Sequence, residues 1–316
     1  MNSWLRRRHL RARLRSLPRM WTPEREYIDI VFDNRRWADF EHRPGDIFVC
    51  TPPKCGTTWT QAIVTELIFP CGPTPGPIFE VAPWIDARFE PISDVLERLD
   101  AQTHRRHIKT HTPADGIPMF ADAKYIVVGR DGRDACMSFF NHMANMQPEL
   151  VTRLLTSAIE EGLALPGPPP PTNDVHAYFA WWLDRRMLFD HIGAWWAHRA
   201  DANVLMLHFN ELKADLDGQM RRIAGFLDIP VDEATWPTQV DRCTFAGMKA
   251  RPDEIAEFED HFVGGADTFL YKGTNGRWQG VLTDDELARY DAMVTEWFTP
   301  ECAAWLAGDG TTTAAG

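Results

Sequence analysis

The segment Thr51-Pro-Pro-Lys54-Cys55-Gly56-Thr57-Thr58 carries the residue types needed to hold an anion. It follows a short apolar run at residues 46–50. It precedes residues 59–69, where apolar side chains recur at 59, 63, 64, 67 and 68, a helical spacing. A strand that runs through such a loop into a helix aims backbone N–H groups and the positive end of the helix dipole at one point. Lys54 adds a full charge, Thr57 and Thr58 add hydroxyl donors, and Gly56 lets a ligand approach the backbone closely. The loop that binds nucleoside triphosphates reads GxxxxGK[ST], with Lys directly after the second Gly. Here Lys54 precedes Gly56 by two residues and no first Gly exists, so the anion-binding chemistry is present in a different register. On spacing alone the same segment also reads as an ordinary strand-to-helix turn.

Three further strands and several helices are needed to place that loop. Residues 107–111 form a short extended piece stopped by Pro113, residues 124–129 the clearest strand in the chain, and residues 203–208 another. Helices are expected at 93–102 with Ser93 as N-cap, at 131–146, as one Trp-rich helix at 176–198, around 212–227 and at 283–298. Residues 70–92 are rich in Pro and Gly, residues 147–174 include a stiff exposed proline run at 166–171, and 262–280 is a Gly-rich loop. Strands alternating with helices predict a single α/β domain: a P-loop-like parallel sheet flanked by helices, spanning 26–307 between a basic arm at 1–25 and a flexible tail at 308–316.

Composition narrows the partners. The 316 residues include 44% hydrophobic and 25% charged residues, 13 Trp and 23 Pro, which excludes wholesale disorder and fibrous architectures. Net charge is −12, and since the first 20 residues hold seven Arg and no acid, the rest is more acidic still. A nucleic-acid partner is therefore not expected. No run approaches the ~18 apolar residues of a membrane span. The six Cys show neither CxxC nor zinc spacing, and no cluster of carboxylates offers a metal cage, so no metal is expected. Unpaired thiols without an export signal point to the cytoplasm, with peripheral membrane contact through the basic arm left open.

The segment from Lys54 to Trp59 resembles the 5′-phosphosulfate loop of the cytosolic-type sulfotransferases, usually written PKSGTTW. Three more segments resemble that family in its order, covering about residues 46–280. Residues 108–113 are similar to the KTHLP segment. Residues 125–138 are similar to the 3′-phosphate segment, in which a strand delivers an Arg and a Ser follows eight residues later. Residues 271–278 resemble RKGxxGDW. The wording also resembles the actinobacterial branch, some of whose members sulfate glycolipids.

The resemblance implies a sulfuryl donor, 3′-phosphoadenosine 5′-phosphosulfate (PAPS), used as co-substrate. It assigns His111 as general base, a role suited to a group that titrates near ~6.5. Lys54 would stabilise the leaving phosphate oxygen, Lys109 would aid the transition state, and Ser138 would contact the 3′-phosphate and engage Lys54. Donor contacts would come from Lys54, Cys55, Gly56, Thr57, Thr58, Trp59, Arg130, Ser138, Phe209, Cys243, Phe245, Tyr271, Lys272 and Gly273. Arg130 could grip a phosphate bidentately or pair with Asp131 or Asp134. Cys55 replaces the usual Ser, Phe209 a Tyr, and Tyr271 an Arg, each removing a polar contact.

The acceptor is expected to be hydrophobic, a phenol, sterol or glycolipid, lined by Phe79, Trp84, Phe89, Phe139, Phe140, Met143, Met146, Trp181 and Trp182; the same residues also read as core. The stretch matching the family's dimerisation motif keeps Thr283 but lacks its Lys and Val, so a monomer or weak homodimer is expected. A P-loop kinase is the alternative, with Asp131 as the obvious Mg²⁺ carboxylate. A non-catalytic lipid or nucleotide carrier is a third reading.

Overall fold

The computed structural model describes residues 23–163, 170–255 and 261–308. The basic arm through residue 22, most of the proline run and the tail from 309 lie outside the described residues.

Four strands form one sheet: β1 (Ile47–Cys50), β2 (His107–Thr110), β3 (Lys124–Gly129) and β4 (Val204–His208). Their order is β2-β1-β3-β4, and every neighbouring pair is parallel. The register sets Cys50 beside both Thr110 and Val127, and Gly129 beside His208. All four strands therefore end at one edge, where the ligands of open parallel sheets bind.

Side chains alternate across the sheet, and both faces are covered. Phe48, Cys50, Tyr125, Val127, Val204 and Met206 enter one core with aromatic residues of α5 (Val175–Arg185) and α6 (Met187–Trp196), among them Tyr178, Trp182, Phe189 and Trp195. Ile47, Val49, Ile126, Val128, Leu205 and Leu207 enter a second core with Ile63, Val64 and Leu67 of α1 (Thr57–Ile68) and Met220, Ile223 and Ala224 of α8 (Leu216–Phe226). The remaining labelled helices are α2 (Ile92–Ala101), α3 (Gly132–Ala144), α4 (Pro148–Glu160), α7 (Phe209–Ala214), α9 (Trp236–Cys243), α10 (Phe245–Lys249), α11 (Gly265–Phe269), α12 (Asp284–Trp297) and α13 (Pro300–Ala307). Among the described residues no helix is long and apolar enough to cross a membrane.

Several sequence expectations are corrected. The Trp-rich helix is two helices, because Arg186 between them takes a left-handed backbone with φ 53°. α4 occupies part of the stretch read around its prolines; Leu150, Leu154 and Ala158 form its buried stripe. Pro91, not Ser93, precedes α2, and the Ser93 hydroxyl donates to Asp94 instead. α11 interrupts the Gly-rich loop, and α9, α10 and α13 were not anticipated. Thr283 closes a capping box with Glu286 at the start of α12, a local role independent of any dimer.

Gly129 ends β3 against the indole of Trp305 from α13: a Cβ there would lie 2.3 Å from the ring. Gly129→Ala is expected to overpack this junction and lower stability by about 1–3 kcal/mol, read from the urea midpoint. An unchanged midpoint would show that the Trp305 contact does not constrain the strand end.

Candidate active site

The edge formed by the four strand ends gathers most of the residues singled out by the sequence. The loop after β1 turns through Lys54, a non-glycine residue at φ 68°, and Gly56, at φ 105°. Packing at Gly56 is close as well, since a Cβ would lie 3.1 Å from the Phe209 ring. Gly56 caps α1 without a side-chain bond, and among the described residues no backbone hydrogen bond uses the N–H groups of Gly56, Thr57, Thr58 or Trp59. This is the open donor set that an anion at a helix start would fill. Thr51 and Thr57 join their hydroxyls at 2.5 Å, tying the loop entrance to the helix.

His111 follows β2 directly. Its Nδ1 lies 2.6 Å from the Thr51 carbonyl oxygen, so Nδ1–H donates and Nε2 keeps its lone pair. Trp84 and Phe32 meet the ring edge-on at 4.7 and 6.1 Å. Burial first, then the nearby Lys109, holds the imidazole well below its ordinary pKa, so it is neutral. The buried carboxylate of Asp86 accepts from the hydroxyls of Thr110 and Thr112, the latter at 2.6 Å, and from Trp37 Nε1 at 3.1 Å. Both neighbours of His111 are thus anchored to one group.

Lys109 is buried, with its Nζ 3.9 Å from the Trp84 ring centre and 5.3 Å from that of Phe79. Burial and the nearby Lys54 pull its pKa down to about 7. Lys54 keeps part of its surface open, and its pKa is pulled down to about 8 by burial, then by Arg130 and Arg277. Arg130, also buried, donates to the carbonyls of Lys54 at 3.0 Å and Thr274 at 3.1 Å and to Asn275 Oδ1 at 2.8 Å; its Nε has no partner. It lies 4.2 Å from the centre of the Phe209 ring. The expected competitors for Arg130 are engaged elsewhere: Asp131 pairs with Arg133 at 2.6 Å, and Asp134 accepts from Gly276 N–H at 2.7 Å. Among the described residues, none of Lys54, Lys109 and Arg130 forms an ion pair with a carboxylate.

Aromatic side chains lie beside Arg130, with Phe209 directly against it. Trp59 and Phe209 meet edge-on at 5.4 Å, and Trp59 Nε1 donates to the Cys243 carbonyl at 2.7 Å. Gly273, at φ 61°, packs closely on Phe245, where a Cβ would lie 3.0 Å from the ring. Three expected contacts are placed differently. Cys55 buries its thiol, raised to about 12 by burial, and spends its N–H on the Pro52 carbonyl. Cys243 offers these rings only its carbonyl, since its thiol is in the core. Lys272 is exposed over the Tyr271 ring at 4.8 Å. The Ser138 hydroxyl makes no hydrogen bond to the described residues; the partner of Lys54 is His142, one turn further along α3, at 3.3 Å.

The expected acceptor residues divide. Phe79, Trp84, Phe89, Met143 and Met146 stand near the lysines and His111 or in the cluster beside them. Phe139, Phe140, Trp181 and Trp182 pack with Tyr178 or Phe179 on the other core. Phe32, Phe262, Phe269, Asp86 and His142 were not singled out by sequence. Only His142 left a signal there: it stands four residues after Ser138 and so shares its helix face. A cavity of about 530 Å³ lined by Gln147, Lys249, Pro252, Phe262, Gly264, Gly265, Ala266 and Asp267 shares only Phe262 with this centre.

Comparison with known proteins gives a consistent result. The sulfotransferase domain family matches residues 44–300. A glycolipid sulfotransferase of Mycobacterium bovis is 33% identical over 304 residues, covering 88% of this chain and 93% of its own. A rabbit (Oryctolagus cuniculus) amine sulfotransferase is 27% identical over 284 residues, covering 86% and 87%. The fold is that of a mouse sulfotransferase complexed with PAP, with a TM-score of 0.67, 23% identity and coverage of 89% and 96%.

Removing the Asp86 carboxylate leaves three buried donors without their acceptor. Asp86→Ala is expected to lower stability by about 2–3 kcal/mol in urea unfolding. A variant as stable as the parent would remove Asp86 from the support of His111.

Proposed function

The chain belongs to the sulfotransferase family, and on that premise we propose that it moves a sulfuryl group from PAPS to a hydroxyl of a hydrophobic acceptor, with His111 as base. The observation that carries the reading is a set of cations, Lys54, Lys109 and Arg130, that make no ion pair among the described residues, near a helix start whose N–H groups have no acceptor among them. A phosphate–sulfate anhydride has the charge such a set lacks. The N–H groups of Gly56 to Trp59 would hold its 5′ phosphate. Arg130, whose Nε lacks a partner, would turn toward the 3′ phosphate. Trp59, Phe209 and Phe245 would wall the adenine.

His111 Nε2 would take the proton of the acceptor hydroxyl as its oxygen bonds to sulfur. The bond from sulfur to the bridging phosphate oxygen breaks, and the electron pair leaves on the phosphate, where Lys54 stabilises it. Lys109 would neutralise charge on the outer sulfuryl oxygens. Positioning and electrostatics supply most of the rate in such in-line transfers. A Mg²⁺-dependent phosphotransferase is disfavoured, because Asp131 caps α3 and pairs with Arg133.

For the acceptor, a glycolipid is the favoured class. Phe32 and Trp84 at His111, with Phe89 behind Trp84, suit an apolar body, and the mycobacterial relative is named for glycolipid sulfation.

The test supplies ³⁵S-labelled PAPS with a panel of glycolipids, sterols and phenols. Label is expected on a glycolipid, and His111→Ala is expected to lower kcat by ~10²–10⁴ while binding of 3′,5′-adenosine bisphosphate is kept. Transfer at the parent rate by the variant would remove His111 as base. Label on phenols alone would redirect the acceptor.

A further inference from the structure

His142 is a second imidazole within reach of the site's cations. It lies on α3, its Nδ1 3.3 Å from Lys54 Nζ. Its ring meets Phe262 at 4.7 Å and Phe269 at 6.0 Å, and the Phe269 ring centre is 4.8 Å from the same ammonium. An ammonium has only donors, so Nδ1 is the acceptor and the ring proton sits on Nε2. Nε2 has no hydrogen-bond partner among the described residues.

That arrangement requires a neutral ring, and the surroundings enforce one. Burial, then Lys54, Lys109, His111 and His261, hold its protonation well below the ordinary histidine range. Arg130 and Arg277 add positive charge around Lys54. The titratable groups around His142 are thus cations and imidazoles, and the ring stays an acceptor at neutral pH. The need for such an acceptor is local. Lys54 sits at φ 68°, in the left-handed region that lysine disfavours, a conformation that persists only where the surroundings hold it. Among the described residues no carboxylate pairs with its ammonium.

Building on the sulfotransferase reading, we propose that His142 is the positioning residue for Lys54, presenting its ammonium to the donor from a fixed place on α3. The role expected for Ser138 in engaging this lysine passes to the residue one helical turn later.

The test follows Lys54 directly. Lysines carrying ¹³C at Cε are titrated by NMR in the donor-free full chain, with Lys54 assigned through Lys54→Arg. Lys54 is expected to titrate near 8 in the parent. In His142→Ala it is expected to titrate about one pH unit lower, since a hydrogen bond from a charged donor is lost. His142→Asn, which keeps an acceptor near the Nδ1 position, is expected to restore it. His142→Gln, whose amide reaches toward the Nε2 position, is expected to behave like the alanine variant and serves if that one fails to fold. In turnover, kcat is expected to fall about tenfold in the alanine or glutamine variant and to recover in the asparagine variant. Identical Lys54 titrations in the parent and these variants would overturn the proposal. A parent that transfers no sulfuryl group to any acceptor would overturn the functional reading instead, and the titration would still decide the role of His142.

Discussion

Three cations are drawn toward the interior with no ion-pair partner among the described residues, and the rest of the site is arranged around that imbalance. Removing charge from water is expensive unless a counter-charge is supplied. In a chain with net charge −12, carboxylates are abundant, yet those nearest the site are committed elsewhere: Asp131 to Arg133, Asp134 to a loop N–H, and Asp86 to Trp37 and two threonines. The cations are left for a ligand. Lysines with pKa pulled down to about 7 and 8 are the signature of that state.

The sheet makes this arrangement possible. Parallel strands deliver Lys54, Lys109, His111, Arg130 and Phe209 to one edge, each from just inside or just beyond a strand end. The backbone then fixes what the side chains cannot. Thr51 orients the imidazole through its carbonyl, Gly56 opens the loop to Phe209, and Gly129 admits Trp305 behind Arg130. The departures of this chain from the usual family wording are absorbed unevenly. Phe209 forfeits a hydroxyl but gives Arg130 a ring face at 4.2 Å. Tyr271 carries Lys272 on its exposed face.

What was legible in the sequence was what local chemistry decides. Residues 124–129 read as a strand because Tyr-Ile-Val-Val is a β-branched, buried run, and the structure places β3 there. The loop at 51–58 was legible because Lys, Gly and Thr stand between an apolar run and a helical spacing, although that spacing alone also fits an ordinary strand-to-helix turn. The break at Arg186 was not, since neither Gly nor Pro marks its left-handed backbone. α4 was obscured by the prolines that follow it in sequence. Asp86 and His142 were invisible for a different reason: Asp86 meets Thr110 and Thr112 across more than twenty residues, and His142 meets Lys54 across 88. Such pairings belong to the topology, and no short motif announces them.

Calorimetry of 3′,5′-adenosine bisphosphate binding, run at about pH 8 in Tris and in HEPES, addresses the unpaired cations most directly. Lys54 and Lys109 are partly deprotonated there when the site is empty, and an anion favours their charged forms. The phosphates, with a second ionisation near ~6, are already fully charged. Net proton uptake is expected, seen as a heat that differs between the buffers, with affinity strongest below about pH 7 and weakening as pH rises through the two lysine values. Binding with no proton uptake, or an affinity that does not weaken between about pH 6 and 9, would contradict the account.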